Sequence, residues 1–232
     1  MKDPLQKTES WKMFNRIAQQ YDLLNRLLSG RLDVAWRKKC VKQIAKKEPL
    51  TVLDLATGTG DLLLRLLKER PNVKTAVGLD PAIEMLCVGR KKLSSQRASL
   101  VRGDAQEMSF KSTSSNVITM AFGIRNVPDI DKAFQEMHRV LVSGGHVLIL
   151  EFSLPKNILI RSLYLLYFRY VLPFIGGIIS RDRPAYRYLN QSVENFPYGA
   201  TFCHRLKNAG FDHVTETPLT FGIATLYSAK KQ

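Results

Sequence analysis

The N-terminal part of the chain has the hydrophobic spacing of helices. Over residues 9–47 apolar side chains recur every three or four positions, with Lys and Arg between them, which is typical of helices that bury one face. The spacing breaks at Ser29 and Gly30, and Asp33 is placed to cap the helix after the break. We therefore predict an N-terminal helical cap over residues 1–49.

From residue 50 the spacing changes to short apolar runs separated by helical segments. Five runs predict strands: "TVLDLA", "VKTAVGLD", "ASLVRGD", "NVITMAFG" and "HVLILEF". This alternation is typical of a parallel sheet with helices on both faces. The helix before the fifth strand is predicted to end at a Gly144–Gly145 turn, and two more strands are predicted near the C-terminus. The fold class is α/β, with one domain over residues 50–232.

Residues 155–198 interrupt the alternation. Within them residues 158–180 are almost wholly apolar, but Arg161, Arg169 and Pro173 divide the run. A membrane span needs roughly 20 predominantly apolar residues, and arginines inside one are costly. We predict an amphipathic segment that lies at a bilayer interface or lines a channel for an apolar substrate, with a buried helix as the alternative.

Charge is distributed unevenly along the chain. The net charge is +15, with +7 over residues 1–49, +2 over 50–151 and +6 over 152–232. The basic flanks favour an anionic partner, either a lipid surface or nucleic acid, and simple solubility is the alternative. The N-terminus has no apolar run typical of a signal peptide, and the three cysteines form no metal or disulfide pattern, so we expect a cytoplasmic protein without a metal site.

A glycine-rich turn follows the first predicted strand. Asp54, Gly58 and Gly60 form the pattern D-x-x-x-G-x-G, in which glycines let the backbone approach a ligand closely. A dinucleotide site would have a third glycine at the position of Leu63. The turn predicts a nucleotide site without identifying the nucleotide.

Two more acidic residues stand at the ends of the next two predicted strands. Asp80 is placed to accept hydrogen bonds from both ribose hydroxyls, and Asp104, followed by Ala105, to contact an adenine edge. A pyrophosphate favours bare amides and basic groups instead. Each acid alone could be a strand-end or capping residue, but the ordered set favours a ligand without phosphates, and S-adenosylmethionine fits.

This order of motifs resembles the class I S-adenosylmethionine-dependent methyltransferases. The resemblance implies a Rossmann-like, seven-stranded sheet whose last strand is antiparallel. It also implies that Thr59, beside the glycine turn, and the Asp104–Ala105 pair line the donor pocket, while Asp80 holds the ribose.

The longer motifs point to the substrate. The fourth strand ends in "AFGIRNVPD", without the N-P-P-Y-like clamp or nearby cysteine of base methyltransferases. Four stretches instead resemble the ubiquinone/menaquinone biosynthesis C-methyltransferases: "YDLLNRLLSGRLDVAWR" (21–37), "FGIRNV" (122–127), "RVLVSGGHVLILEFSLP" (139–155) and "AYRYL" (185–189). The resemblance runs from about residue 14 to the C-terminus and implies methyl transfer to a ring carbon of a prenylated quinol, with demethylmenaquinol favoured over the ubiquinone precursor.

Three positions depart from the family pattern. Asp33 stands where the first signature usually has His, Ala121 where Ser is common, and Thr57 where Gly or Cys is usual. None removes an acid or glycine that the donor needs. Because Asp33 replaces the histidine of the family signature, a proton-transfer role inferred for that histidine cannot be assigned to this chain.

Candidate catalytic residues follow the fourth strand and the first signature. Arg125 and Asn126 are placed to meet the ring hydroxyls, and Tyr21 with Asp22 to close over the site. The alternatives are a surface ion pair for Arg125 and helix packing for Tyr21. His138 and His146 are expected to be structural.

The expected partners follow from these assignments. They are the prenylated quinol, a transient anionic membrane surface at the inner face of the membrane, no nucleic acid, and a homodimer through residues 155–198. Two rival functions predict different behaviour: an RNA methyltransferase binds nucleic acid in a salt-sensitive way, and a non-catalytic lipid-binding protein binds vesicles without methyl transfer.

Overall fold

Seven strands and nine α-helices account for most of the regular structure that the computed structural model describes, over residues 7–46, 49–94, 96–174 and 183–232. The strands are β1 Leu50–Leu55, β2 Val73–Asp80, β3 Ala98–Arg102, β4 Ser115–Ala121, β5 Leu141–Phe152, β6 Phe211–Leu219 and β7 Ala224–Lys231. The helices are α1 Ser10–Ile17, α2 Tyr21–Leu28, α3 Leu32–Lys42, α4 Asp61–Glu69, α5 Ile83–Lys92, α6 Ile130–Val140, α7 Ile158–Leu166, α8 Arg183–Glu194 and α9 Ala200–Asn208.

The seven strands form one sheet in the order β3-β2-β1-β4-β5-β7-β6. The first five are parallel, while β7 runs antiparallel to both β5 and β6. The predicted α/β class, the seven strands and the antiparallel last strand are confirmed. Because β1 to β5 are parallel, their carboxyl ends meet at one edge of the sheet, where ligands bind in open α/β folds.

Each face of the sheet carries its own apolar core. On one face α6 and α9 contribute Phe134, Met137 and Phe202, all fully buried against β4, β5 and β7. On the other face α3 and α4 contribute Val41 and Leu66. Helices on both faces explain why the central strands are nearly continuous apolar runs.

A third core joins the N-terminal helices to the segment between β5 and β6. Met13 and Leu24 from α1 and α2 pack with Tyr164, Phe168 and Tyr188 from that segment. The described residues of the 155–198 segment therefore pack against the N-terminal helices. Residues 1–6, 47–48 and 175–182 of the predicted cap and insertion lie outside the described residues.

Two local predictions are wrong. Asp33 does not cap the helix that follows the break, because α3 begins at Leu32 and the Asp33 side chain pairs with Arg26 and Arg37 instead. The Gly144–Gly145 pair does not end α6 either: the helix stops at Val140, and β5 begins at the next residue and runs through both glycines. A Cβ at Gly145 would lie 2.7 Å from the carbonyl oxygen of Val142, so the pair permits a bend inside the strand.

The apolar stretch predicted over residues 158–180 begins as a helix. Helix α7 continues into a π-helical turn over Tyr167–Val171, while residues 175–180 lie outside the described residues. No helix within the described ranges is both long and apolar enough to cross a bilayer.

Candidate functional site

Strained backbone marks the carboxyl edge of the sheet. Ala56, just after β1, and Phe122, just after β4, have φ of +47° and +60°, a region that residues with side chains rarely adopt. Gly123 follows, and a Cβ there would lie 2.4 Å from the Cβ of Ala56. The two strand ends therefore approach so closely that one of them must be glycine, and such strain clusters at ligand sites.

Asp54 holds the glycine turn together from inside. Its buried carboxylate accepts hydrogen bonds from the hydroxyls of Thr57 and Thr119, both at 2.6 Å. Burial raises its pKa to about 6, against the effect of these two hydrogen bonds. Its hydrogen-bonding partners are therefore in the turn and the neighbouring strand.

Asp80 connects the turn to the end of β2. One carboxylate oxygen accepts from the backbone N–H of Gly58 and the other from that of Ala82, both at 2.8 Å. Burial raises the pKa of this carboxyl to about 6 as well, although both hydrogen bonds act to lower it. Each carboxylate oxygen can accept a further hydrogen bond, so Asp80 can hold two ligand donors.

A cavity lies at these strand ends, and we call it the strand-end cavity. Its empty space is about 820 Å³, including the part open to solvent. Its lining includes four of the predicted donor residues, three aromatic residues of the N-terminal helices and the aromatic residue after β4: Gly58, Asp80, Asp104, Ala105, Trp11, Phe14, Tyr21 and Phe122. Lys7 is the one cation among the described lining residues, which disfavours a ligand that carries phosphates.

The other three predicted donor residues lie elsewhere. Asp54 and Thr59 line a smaller loop cavity that shares Gly58 and Tyr21 with the strand-end cavity. Gly60 is not among the residues that line these cavities. It starts α4 with φ of +78°, and a Cβ there would meet the Leu93 side chain at 2.7 Å. The positive φ and the close Leu93 side chain therefore explain why this position needs glycine, without any contact to a ligand.

A second and larger cavity lies between the N-terminal helices and the 155–198 segment, and we call it the cap cavity. Its empty space is about 1140 Å³, including the part open to solvent. Its wall is mainly apolar and aromatic, with side chains of α1, α2, α3, α7, α8 and the π-helical turn that follows α7, including its C-cap residue. Among them are Met13, Ile17, Leu24, Leu28, Trp36, Tyr164, Phe168, Leu172 and Leu189. Phe14, Tyr21 and Phe122 line both large cavities, so the two spaces meet at these rings.

Tyr21 lies where all three cavities meet. Its ring contacts Phe14 edge-on, with the centroids 6.0 Å apart. Burial raises the pKa of its hydroxyl, against the hydrogen bond with Asn25 and the positive charges of Arg125 and Arg37. Tyr21 therefore packs within the N-terminal helices and also lines the cavities, and its predicted role in closing over the site stays a prediction.

A network of charged side chains ties the N-terminal helices to the glycine turn. Asp22 accepts hydrogen bonds from Thr59 and Lys92, at 2.6 and 2.5 Å. Lys92 also donates to Asp61 at 2.7 Å, and Arg26 bridges Asp61 to the Asp33 carboxylate. Thr59 and Asp22, predicted in different roles, are thus direct partners.

Asp61 is the centre of this network. Burial acts to raise its pKa, but the positive charges of Arg37 and Lys92 and hydrogen bonds from Lys92 and Arg26 outweigh it and hold the value at about 2. The Asp61 carboxylate therefore stays ionised and attached to the cap throughout the physiological range.

Arg125 and Asn126 face different cavities. Arg125 lines the cap cavity and pairs with Glu151 at 2.8 Å, with 4% and 0% of the two side chains exposed. Asn126 lines the strand-end cavity, and its side-chain oxygen accepts from the Tyr188 hydroxyl at 3.2 Å. The ion pair of Arg125 is buried, which contradicts the surface-pair alternative.

Several site residues escaped sequence reasoning. Glu151 is a lone carboxylate at the end of an apolar strand, a position that signals a buried partner. Tyr164, Asp61 and Lys92 carry no such local signal. His138 and His146 pack as expected, with the His146 ring 2.7 Å from the Ser228 hydroxyl. In the part of the chain that the structure covers, no cluster of His, Cys, Asp or Glu could hold a metal ion.

Comparison with known proteins identifies the family that the sequence motifs resemble, over nearly the whole chain. The model of the ubiE/COQ5 methyltransferase family matches residues 2–231. The demethylmenaquinone methyltransferase of Thermus thermophilus is 43% identical over 217 residues, which are 93% of this chain and 98% of that protein. The ubiquinone/menaquinone biosynthesis C-methyltransferase UbiE of Geotalea daltonii is 41% identical over 224 residues, 95% of each chain.

A solved structure supports the fold. A SAM-dependent methyltransferase of Thermotoga maritima superposes with a TM-score of 0.70 at 16% identity, over 96% of this chain and 99% of that one. At this identity the likeness shows the fold alone, a class I Rossmann-like methyltransferase. The family model that matches residues 2–231 and relatives that are 41% and 43% identical show that the chain belongs to the ubiE/COQ5 methyltransferase family.

Proposed function

We propose that this protein transfers a methyl group from S-adenosylmethionine to a ring carbon of a prenylated hydroquinone, most naturally converting demethylmenaquinol to menaquinol. The observation that carries the proposal is the junction at Phe14, Tyr21 and Phe122, which line both the acid-lined strand-end cavity and the apolar cap cavity. A polar donor and an apolar acceptor would meet at those rings.

The strand-end cavity fits the methyl donor. Asp80 has free acceptor capacity for two ribose hydroxyls, and Asp104 with Ala105 would contact the adenine. The rings of Phe14, Tyr21 and Phe122 can stabilise a sulfonium cation. Asp54 supports the turn, and Thr59 anchors it to Asp22. The donor supplies a methyl group already activated for transfer.

The protein's remaining task is to place and activate the acceptor ring. In the transfer a ring carbon forms the new bond to the methyl carbon, the electrons of the broken carbon–sulfur bond stay on sulfur, and that ring carbon then loses its proton. A phenol has a pKa near ~10 and is mostly neutral at pH 7. The buried charge of Arg125 favours the more nucleophilic phenolate.

The cap cavity, Tyr21 and Asn126 would position the acceptor ring. The cap cavity takes the apolar tail and excludes water, while Tyr21 and Asn126 bound the space where the two ligands meet. Holding two reactants in line and away from solvent supplies a large part of the acceleration in such transfers. The naphthoquinol is favoured over the benzoquinol, and both share the chemistry of this site.

We also propose reversible contact with an anionic bilayer through α7. Ile158, Leu159, Leu163 and Leu166 are between 57% and 82% exposed, and they share the segment with the exposed Lys156 and Arg161. Apolar side chains beside basic ones suit an interface at which a lipid-soluble quinol enters. The protein would then be cytoplasmic and peripheral at the inner face of the membrane, and homodimerisation would cover the same face.

The test uses methyl-labelled donor with separated pools of reduced lipid, oxidised lipid, RNA and DNA. Label in the reduced lipid alone supports the proposal, and the mass of the product separates naphthoquinol from benzoquinol. Label in RNA or DNA contradicts it. Donor binding without transfer to any pool favours the non-catalytic rival. Sedimentation with and without anionic vesicles, using Leu163→Glu as the comparison, separates membrane contact from a homodimer.

A further inference from the structure

Two buried polar atoms of the cap cavity have no hydrogen-bond partner in the described structure. They are Nε of Arg125 and the hydroxyl of Tyr164. Arg125 is 4% exposed and Tyr164 is 9% exposed, and both side chains line the cap cavity. An unpaired buried donor is costly, so a native protein keeps one where a ligand supplies the missing acceptor.

Aromatic packing links the two side chains. The guanidinium of Arg125 lies over the Phe152 ring, 5.3 Å from its centroid. Phe152 packs against Phe168 at 6.3 Å, and Phe168 stacks on Tyr164 at 5.0 Å. The Arg125 guanidinium and the Tyr164 ring are thus connected through packed aromatic side chains, Phe152 and Phe168, in the wall of the cap cavity.

The charge of Arg125 acts on the Tyr164 hydroxyl. Burial raises the pKa of Tyr164, and Arg125 is the largest influence that opposes this rise. The hydroxyl therefore stays protonated and is a hydrogen-bond donor, without a role as a base. Nη1 of Arg125 already donates to the Glu151 carboxylate at 2.8 Å and to the carbonyl of Phe122, while the buried Nε–H has no partner in the described structure.

We propose that Tyr164 recognises the acceptor ring: its O–H and the Nε–H of Arg125 donate to one ring oxygen of the quinol and stabilise that oxygen as an anion. This inference rests on the proposed function. It adds a specificity-determining residue from the 155–198 segment, since a ring without that oxygen would leave both donors unpaired. Two donors aimed at a developing oxyanion are an efficient device in a dry site.

The test is Tyr164→Phe, which keeps the ring and its stacking on Phe168. We expect kcat to fall by about 100-fold to 1,000-fold, because one of two hydrogen-bond donors to the oxyanion is lost. The limb of the kcat–pH profile that reports quinol ionisation is expected to move up by about one pH unit, the equivalent of a tenfold change. The affinity for S-adenosylmethionine should stay at the wild-type value.

The melting temperature gives a second measurement, which would change in the opposite direction if the Tyr164 hydroxyl only stabilised the fold. Tyr164→Phe removes an unsatisfied buried group, so the melting temperature of the free protein should rise while activity falls. The matched variant is Tyr167→Phe. The Tyr167 hydroxyl lies in the same cavity but donates to the carbonyl of Leu28 at 2.8 Å, so its loss should lower the melting temperature and leave the pH limb in place.

Binding separates this inference from the proposed function. A geranyl-substituted 1,4-naphthoquinol and its di-O-methyl ether are titrated into wild type and Tyr164→Phe. Preference of the wild type for the free quinol, reduced in the variant, supports the inference even if no methyl is transferred. Equal kcat, pH profile and quinol preference in the two proteins would overturn it, as would a fall in kcat with an unmoved pH limb.

Discussion

The strand-end cavity and the cap cavity share three aromatic residues but are built in different ways. The strand-end cavity uses residues at the ends of successive strands, such as Asp80 and Asp104, with backbone N–H groups of the glycine turn. The cap cavity uses the N-terminal helices and the segment between β5 and β6, which are far apart in the sequence and meet only in the folded protein. The order of the strands therefore creates the strand-end cavity, whereas the packing of distant helices creates the cap cavity.

Their polar groups are also held differently. In the strand-end cavity the Asp80 carboxylate is held by the backbone N–H groups of Gly58 and Ala82. In the cap cavity the Arg125 guanidinium is held by the side chain of Glu151, a fully buried carboxylate near the end of β5. A carboxylate on backbone amides tolerates loss of its charge better than a buried ion pair tolerates loss of one partner. Mutations should therefore separate the two cavities.

The largest effect is expected from Glu151→Ala. It leaves the Arg125 charge buried without its partner, so the free energy of unfolding should fall by about 3–5 kcal/mol. Urea denaturation measures this. The control replaces both charges, with Arg125→Met and Glu151→Leu, and should recover most of the stability and keep donor affinity while quinol methylation is lost. Equal stability of the single and double variants would contradict the pairing.

Asp80→Ala should weaken ligand binding in the strand-end cavity. Loss of two hydrogen bonds to a charged acceptor is expected to weaken S-adenosylmethionine binding by about 100-fold, roughly 3 kcal/mol. Calorimetric titration measures the affinity, and circular dichroism checks that the fold is kept. Quinol binding in the cap cavity should not change. Wild-type donor affinity in this variant would refute the assignment of Asp80.

Asp61→Asn should loosen the join between the cap and the glycine turn. Two partly buried ion pairs, with Arg26 and Lys92, are weakened, so we expect a loss of about 1–2 kcal/mol and a higher KM for the quinol. The matched control is Asp131→Asn. Its ion pair with Arg205 is exposed, and its loss should cost about 0–1 kcal/mol. Similar KM values for the two variants would show that the network does not position the cap.

The smallest effect is a pH dependence of opposite sign for stability and donor binding. Burial raises the pKa of Asp80 from 3.8 to about 6, so the folded protein binds protons more strongly than the unfolded chain between these values. This group therefore lowers stability as the pH rises through that window. Donor affinity, which needs the carboxylate, should fall as the pH drops below about 6.

Comparison of wild type with Asp80→Asn at pH 5 and pH 7 isolates this contribution. The variant should show the smaller change in unfolding free energy and a low, flat donor affinity. Asp61 acts in a separate window, because its pKa is held at about 2 instead of 3.8. Its stabilising contribution is present above about pH 4 and is lost as the pH falls toward 2.

Local pattern was enough to predict the sheet, and four of the seven residues predicted to bind the methyl donor line one cavity. Strands of buried apolar residues, the turn at Gly58 and the acids at strand ends are each defined by neighbouring residues, so Gly58, Asp80, Asp104 and Ala105 all line the strand-end cavity. Their contact with the methyl donor stays a prediction. Asp33 and Gly144–Gly145 were misassigned, because a capping residue and a turn were inferred where a distant ion pair and a strand partner decide the conformation.

By itself, the sequence determined the α/β class, the order of strands and helices, and the acids and glycines at the strand ends. Those features depend on residues close together in the chain. Only the tertiary structure decided that Arg125 lines the cap cavity while Asn126 lines the strand-end cavity, and that Tyr164 lines the same cavity as Arg125. The reason is physical: a buried polar group takes its role from partners that packing brings to it, and no local spacing encodes them.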